Sequence, residues 1–323
     1  MLSKLMKKTI ISLSMVFIFC SVKGQQGAAY NLYFQDHYYL NPAAAGSNGL
    51  TVFNIAAKEF WLGFPENTPG TQSMVFHTRL NKINFNLGHR GYSKKREGRV
   101  GLGGMLYNDI NGPIRKTGIL MSYAYHIRLR DANLSFGLSS YTYQVFTDKE
   151  KLTLKNMSDP FLFEHDYLYT TDMNVGIYIN SRDYYVSLTS NNISESKLKI
   201  KDSDYISTIN NREYLLFTGY NFKINPRLDF EPSFLFKTDE DFLTRMDLNT
   251  KWTYNKKFWT GIGISTFSSL NFFVGVISEQ FDFGYSFQLP SGDIIKYSLG
   301  SHEVMFSMKF GQNRFNRYQR FYR

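Results

Sequence analysis

The chain has 323 residues, 17% of them aromatic (29 Phe, 23 Tyr), and a net charge of +10. Its single cysteine, Cys20, lies in the leader described next, so no disulfide framework, cysteine-ligated metal or thiol nucleophile is expected in the remainder. Mean hydropathy is −0.32, and beyond residue 24 no stretch approaches the ~20 apolar residues of a spanning helix.

Residues 1–24 read as a signal peptide. Lys4, Lys7 and Lys8 form a basic start, Thr9 to Cys20 an apolar run, and Val22-Lys23-Gly24 an acceptable cleavage site before Gln25. The apolar run is short for a membrane anchor. Cleavage would remove Lys4, Lys7, Lys8 and Lys23, leaving a net charge of +6. An exported chain does not meet nucleic acid, so no nucleic-acid partner is expected.

Residues 25–49 form an N-terminal segment. It carries Tyr30, Tyr33, Phe34, Tyr38 and Tyr39 without clean alternation. Pro42 fixes its own φ and biases Asn41 away from helix, and Gly46 permits a turn. Two readings stand: a partial plug in the periplasmic mouth of a barrel, or an ordinary lead-in to the first strand.

From residue 50 to 311 the pattern is period-2 alternation broken by turn residues. Between Asp241 and Tyr254, Phe242, Thr244, Met246, Leu248, Thr250, Trp252 and Tyr254 share one face. Asp241, Arg245, Asp247, Asn249 and Lys251 share the other. Candidate strands fall near 50–60, 71–86, 99–110, 114–130, 132–146, 168–181, 183–192, 211–224, 227–237, 241–254, 257–267, 269–280, 281–289 and 302–311. Many exceed the ~5–6 residues of soluble strands and reach the ~9–11 of tilted spanning ones. An all-β fold is predicted, a transmembrane antiparallel barrel of about 14 strands, with twelve or sixteen also compatible with these boundaries. A secreted sandwich or propeller would alternate too, but with shorter strands.

Short turns such as Asn225-Pro226 and Asn255-Lys256 alternate with long loops near 147–167 and 193–210. That asymmetry suits periplasmic turns and extracellular loops. Tyr123 with Tyr125, Tyr184 with Tyr185, and Trp252 with Trp259 are candidates for interfacial girdles against outer-membrane lipid. In the tail, residues 312–323, Arg314, Arg317, Arg320 and Arg323 recur every third residue among aromatics, a mix suited to partner docking or anionic headgroups.

No catalytic, cofactor-binding or metal site is expected. The six histidines, His37, His77, His89, His126, His165 and His302, show no metal-ligand spacing. His126 lies on the polar face of its strand, where hydrogen bonding in the lumen is a simpler role than catalysis. Gly101-Leu102-Gly103-Gly104 opens no helix, so it is no phosphate loop. Glycine within a strand marks a close backbone approach or a bend.

Several motifs, taken in order, resemble the PorP/SprF family of type IX secretion system outer-membrane proteins of Bacteroidetes. They are Asn41-Pro42-Ala43-Ala44-Ala45-Gly46; Trp61-Leu62-Gly63-Phe64 with Thr71-Gln72 and His77-Thr78-Arg79-Leu80; and Asn108-Asp109, Gly112-Pro113 and Ser122-Tyr123-Ala124-Tyr125-His126. Arg79 stands where the family usually has proline, and Ala44 where an aromatic is common. The resemblance implies a barrel without catalytic residues, working in protein secretion and, in gliding species, in attachment of adhesins. The partners it implies are the secretion machinery of periplasm and outer membrane, and exported cargo with a C-terminal secretion domain. A channel for small solutes is the second reading, since an alternating barrel with a charged lumen ordinarily conducts.

Overall fold

The computed structural model describes residues 30–63, 68–80, 98–148, 167–194, 197–199, 206–208, 211–242, 244–266, 269–290 and 293–311. Residues 1–29, Phe64, nearly all of the loop 147–167, ten of the eighteen residues 193–210, and Arg314, Arg317, Arg320 and Arg323 lie outside the described residues.

Alternating residues extend and pair with their sequence neighbours. The wall strands are β1 (Thr51–Glu59), β2 (Gly70–Leu80), β3 (Val100–Asn111), β4 (Ile114–Arg128), β5 (Ala132–Thr147), β6 (Tyr167–Ser181) and β7 (Tyr184–Asn191). They continue with β8 (Glu213–Tyr220 and Phe222–Asn225), β9 (Leu228–Asp239), β10 (Thr244–Tyr254), β11 (Phe258–Ser265), β12 (Ser269–Ile277), β13 (Phe281–Pro290) and β14 (Ser301–Phe310). The sheet counts 15 strands, but the two pieces of β8 both pair with β9 and form one wall strand, so the wall has fourteen. The interruption at Asn221 lies beside Pro232 of β9, which has no N–H to give to a ladder. β1 pairs antiparallel with β14 from Thr51↔Phe310 to Glu59↔His302, which closes the barrel and leaves no free edge.

The two faces separate as the alternation requires. Leu248, Ile262, Val274, Phe306, Met121 and Leu138 are among the exposed apolar residues of the outer face, while Asp247, Asn249, Asn271, Glu303, Ser122 and Ser139 are buried on the inner one. An apolar band outside and a polar interior is the arrangement a bilayer demands. Among the described residues no helix is long and apolar enough to cross a membrane.

The girdle expectation needs correcting at two positions. Tyr184 is outward and exposed, but Tyr185, one residue on, is buried inside. Trp259 also points inward, while Trp252 lies on the outer side against Phe230. Adjacent residues of a strand take opposite faces, so an aromatic doublet places only one ring in lipid. The second strand is described only to Leu80; residues 81–86 of the expected strand lie outside the described residues.

One mouth, where β1 begins and β14 ends, has tight connections at 129–131, 182–183, 226–227, 255–257 and 278–280, together with one long connection, 81–99. The other carries the long connections 148–166 and 192–212. These are called the short-turn and long-loop mouths below.

Candidate functional site

The distinctive feature of the interior is that the chain's own residues 30–46 fill it. Three 3-10 turns, Leu32–Phe34, His37–Tyr39 and Pro42–Ala44, are separated by capping residues. Asp36 caps the second by accepting from the Tyr38 N–H, and Asn41 caps the third by accepting from the Ala43 N–H (2.8 Å), with Pro42 at its first position. Gly46, at φ +67°, turns the chain beside the Thr78 backbone, and β1 follows.

This segment runs lengthwise. Gly46 lies against the last residues of β2, at the short-turn mouth, where its N–H donates to His77 Nδ1 (3.1 Å). Asn31 lies near the opposite rim, where the Lys58 ammonium donates to its Oδ1 (3.2 Å). Asn31 also reaches Asn271 Oδ1 and Gln288 Oε1. The sequence left a partial plug at one mouth and a strand lead-in as alternatives; residues 30–46 run along the lumen, with Tyr30 toward the long-loop mouth.

Its start is held by charge. The Glu303 carboxylate accepts the Asn31 and Leu32 N–H groups at 2.6 and 2.9 Å, satisfying backbone that water cannot reach. Tyr33 accepts from Asn249 and donates to Asp247, which also pairs with Arg245 at 2.7 Å and accepts from Ser265. Phe34 sits edge-on to Trp259 and Phe273, with the Lys251 ammonium over its ring. Trp259 and Phe273 therefore serve the interior rather than the lipid face.

Its end is held by close approach. A Cβ on Gly101 would strike the Ala45 carbonyl, one on Gly137 the Ala43 nitrogen, and one on Gly176 the Asn41 side chain. Asn41 donates to the Ile177 and Leu188 carbonyls and to Ser187 Oγ, tying the segment to β6 and β7. His126 makes a hydrogen bond to the Ala45 carbonyl (3.0 Å) through Nε2 and to Ser135 Oγ (2.7 Å) through Nδ1. A neutral ring with its proton on Nε2 satisfies both. Ser135 and His126 are 0% and 2% exposed, so this pair offers no nucleophile to a substrate.

In the middle, His77 Nε2 meets Asp36 Oδ2 at 3.2 Å. Burial alone would raise the Asp36 pKa; the His77 imidazole and the Tyr38 N–H outweigh it and hold the carboxyl below its usual value. His37 packs on Tyr185 and Phe217, and its Nδ1 meets the Tyr178 hydroxyl. Burial pushes its pKa down to about 4, against the nearby carboxylates of Glu231 and Asp36.

The described motif residues picked from the sequence fall into four groups. Asn41, Pro42, Ala43, Gly46 and His126 meet in the lumen. Trp61 and Gly63 lie in the β1–β2 connection, joined to the β13–β14 connection by Leu62–Gly300 and Leu299–Leu62 backbone hydrogen bonds. Gly112 and Pro113 form the tight β3–β4 turn; next to it Thr117 donates to Asn108, and Thr71 to Asp109. Tyr123 and Tyr125 face outward. Sequence reasoning missed the receiving wall. Gly137, Glu303 and Ser187 lie far along the chain from residues 30–46, and their only local signal is a small or charged residue on an inward position; Gly176 was marked only by the family-like stretch Asn174-Val175-Gly176-Ile177-Tyr178. Among the described residues no cluster of three or more His, Cys, Asp or Glu could hold a metal.

A closed antiparallel wall, apolar outside and polar within, makes this an outer-membrane β-barrel of a Gram-negative bacterium. The chain belongs to the type IX secretion system membrane protein PorP/SprF family, whose profile matches residues 22–308. No curated protein matches it closely enough to count as a relative. Among solved structures it is similar to the Ralstonia pickettii toluene transporter TbuX, at 9% identity and a TM-score of 0.46, over 88% of this chain and 95% of that one. It is also similar to the Acinetobacter baumannii outer membrane protein Omp33, at 8% identity and a TM-score of 0.41, over 82% of this chain and 100% of that one. For the Pseudomonas putida toluene transporter TodX the figures are 7%, 0.43, 88% and 95%. No ligand or activity is carried over from these likenesses.

Proposed function

We propose that this barrel is a non-enzymatic binding and anchoring component of type IX secretion. It holds exported proteins with a C-terminal secretion domain, gliding adhesins among them, at the outer membrane. The observation that carries this reading, beside family membership, is the lumen: residues 30–46 occupy it and are pinned at both ends. A barrel filled by its own chain is better suited to presenting surfaces than to passing solutes. In this proposal the leader 1–24 is removed on export, residues 30–46 act as a plug, and the short-turn mouth faces the periplasm. The loops 147–167 and 193–210 then meet cargo outside, and Arg314, Arg317, Arg320 and Arg323 extend toward the periplasmic machinery.

Affinity purification of the tagged barrel from native membranes tests the anchor directly, with exported chains and secretion components expected to co-purify. Purification of the barrel alone, together with open-pore conductance in liposomes, would favour the solute channel instead. Deleting residues 25–40 should raise conductance; an unchanged value would show that the segment does not plug the barrel.

A further inference from the structure

Beside the inner segment the lumen keeps a cavity of about 210 Å³. Tyr38 to Pro42 of the segment form one side, and β3 to β7 the other, through residues such as Tyr107, Leu120, Ser139, Tyr141 and Asn191. Among the described residues its lining includes no Asp, Glu, Lys, Arg or His. Tyrosines, asparagines and serines are set among Met105, Leu40, Leu120 and Pro42, and the space rises toward Asn192 at the long-loop mouth.

Most of this lining is locked. Tyr38 is hydrogen-bonded to Ser122, Tyr39 to Asn54 and Ser73, and Tyr141 to Asn192; Asn174 donates to Ser139 and accepts from the Asn192 N–H. With those hydroxyls engaged by the wall, the rings contribute flat apolar surface at fixed positions. The Tyr107 hydroxyl and the Asn191 amide have no hydrogen-bond partner among the described residues, and they supply the free polar contacts.

We propose that this cavity binds an uncharged sugar ring at the end of a surface glycan. A pyranose has an apolar C–H face for a tyrosine ring and hydroxyl edges for amides and phenols. An anionic ligand would be buried without a counter-ion there, and would meet the Asp109 and Asp172 carboxylates toward the rim, which is costly. An extended peptide would leave its backbone groups unpaired, because a closed barrel has no free edge to extend. A small pocket with fixed apolar surfaces and a few polar groups is the usual form of a small-ligand site. This site is independent of whether the barrel anchors cargo.

The test titrates the full-length, detergent-purified barrel with neutral hexoses, N-acetylglucosamine and their disaccharides, with glucuronic acid as the charged control and an uncharged tripeptide as the peptide control. Saturable binding of at least one neutral sugar, and none of the controls, is expected. Leu120→Trp and Met105→Trp, which fill the cavity from the wall, should abolish it, and Tyr107→Phe should weaken it several-fold. Each variant should keep its heat-modifiable gel band, which separates loss of the site from loss of the barrel. No neutral-sugar binding, tighter binding of the tripeptide, or binding unchanged in both filled variants would overturn the proposal. If sugar binds, retention of purified lipopolysaccharide against retention of glycosylated exported protein decides which glycan supplies the ring.

Discussion

The two halves of the wall hold the same segment by opposite means. The half from β9 through β14 to β1 is charged: Lys58, Glu231, Arg245, Asp247, Lys251 and Glu303 all face inward, and Lys251–Glu231 and Arg245–Asp247 are ion pairs at 2.6 and 2.7 Å. The half from β3 to β7 is largely small and neutral around the segment, with Gly101, Gly137, Gly176, Ser135 and Ser187 against it. Its carboxylates lie toward the long-loop rim, where Asp109 accepts from Thr71 and Asp172 from the Met173 and Ser194 N–H groups. Asn31 and Leu32 offer buried backbone donors, which call for a strong acceptor. Residues 41–46 satisfy much of their own backbone through capped turns and need only contact. Glu303 thus places its charge where the segment leaves backbone donors over, while small residues meet the end that satisfies its own.

The sharpest way to break the charged side is Glu303→Ala. It leaves the buried Asn31 and Leu32 N–H groups without their acceptor, at about 1–3 kcal/mol each, and removes one of the carboxylates near Lys58. Amides of residues 30–34 should lose hydrogen-exchange protection while the sheet spectrum persists. Retained protection would mean that Asp247 and the aromatic packing suffice.

On the neutral side the matching change is Gly137→Leu. Its side chain meets the Ala43 backbone, which cannot swing aside as a long side chain would. Overpacking costs about 1–3 kcal/mol, and a backbone obstacle belongs at the upper end. Protease cleavage within residues 40–46 should appear while residues 30–34 stay protected. Release of both ends together would show that the two halves act as one unit.

Acid should loosen the middle. The His37 pKa falls from 6.5 to about 4 on docking, so the released segment binds more protons between those values. Docking is therefore most favourable above about pH 6.5 and weakens as pH falls toward 4. Below that, Asp36, whose pKa is lowered by docking, loses its contribution as it protonates. Exchange of amides 35–40, corrected for intrinsic rates, should rise across this window, and His37→Phe should flatten the rise between pH 6.5 and 4. An unchanged slope in that variant would remove His37 from the account.

The smallest expected effect is Tyr38→Phe, which loses the hydrogen bond to Ser122 at 2.8 Å but keeps the ring, for about 1 kcal/mol. Thermal unfolding followed by the gel shift should change little.

Much of the wall could be read from the chain alone. Alternation is local: each inward or outward position is fixed by its neighbours two residues away, so Met246, Leu248 and Trp252 against Asp247, Asn249 and Lys251 declared their faces. The glycines of β3 signalled a close approach but not to what. The segment 30–46 carried no such signal, because its partners are remote: Leu32 binds Glu303 271 residues away, and Asn41 reaches Ser187 across 146. Likewise the inward turn of Tyr185 and Trp259 depended on register and on the rings of His37 and Phe34 waiting inside. The sequence determined a barrel and its two faces through short-range periodicity. Only closure of β1 on β14, which brings distant residues around one lumen, decided what fills it.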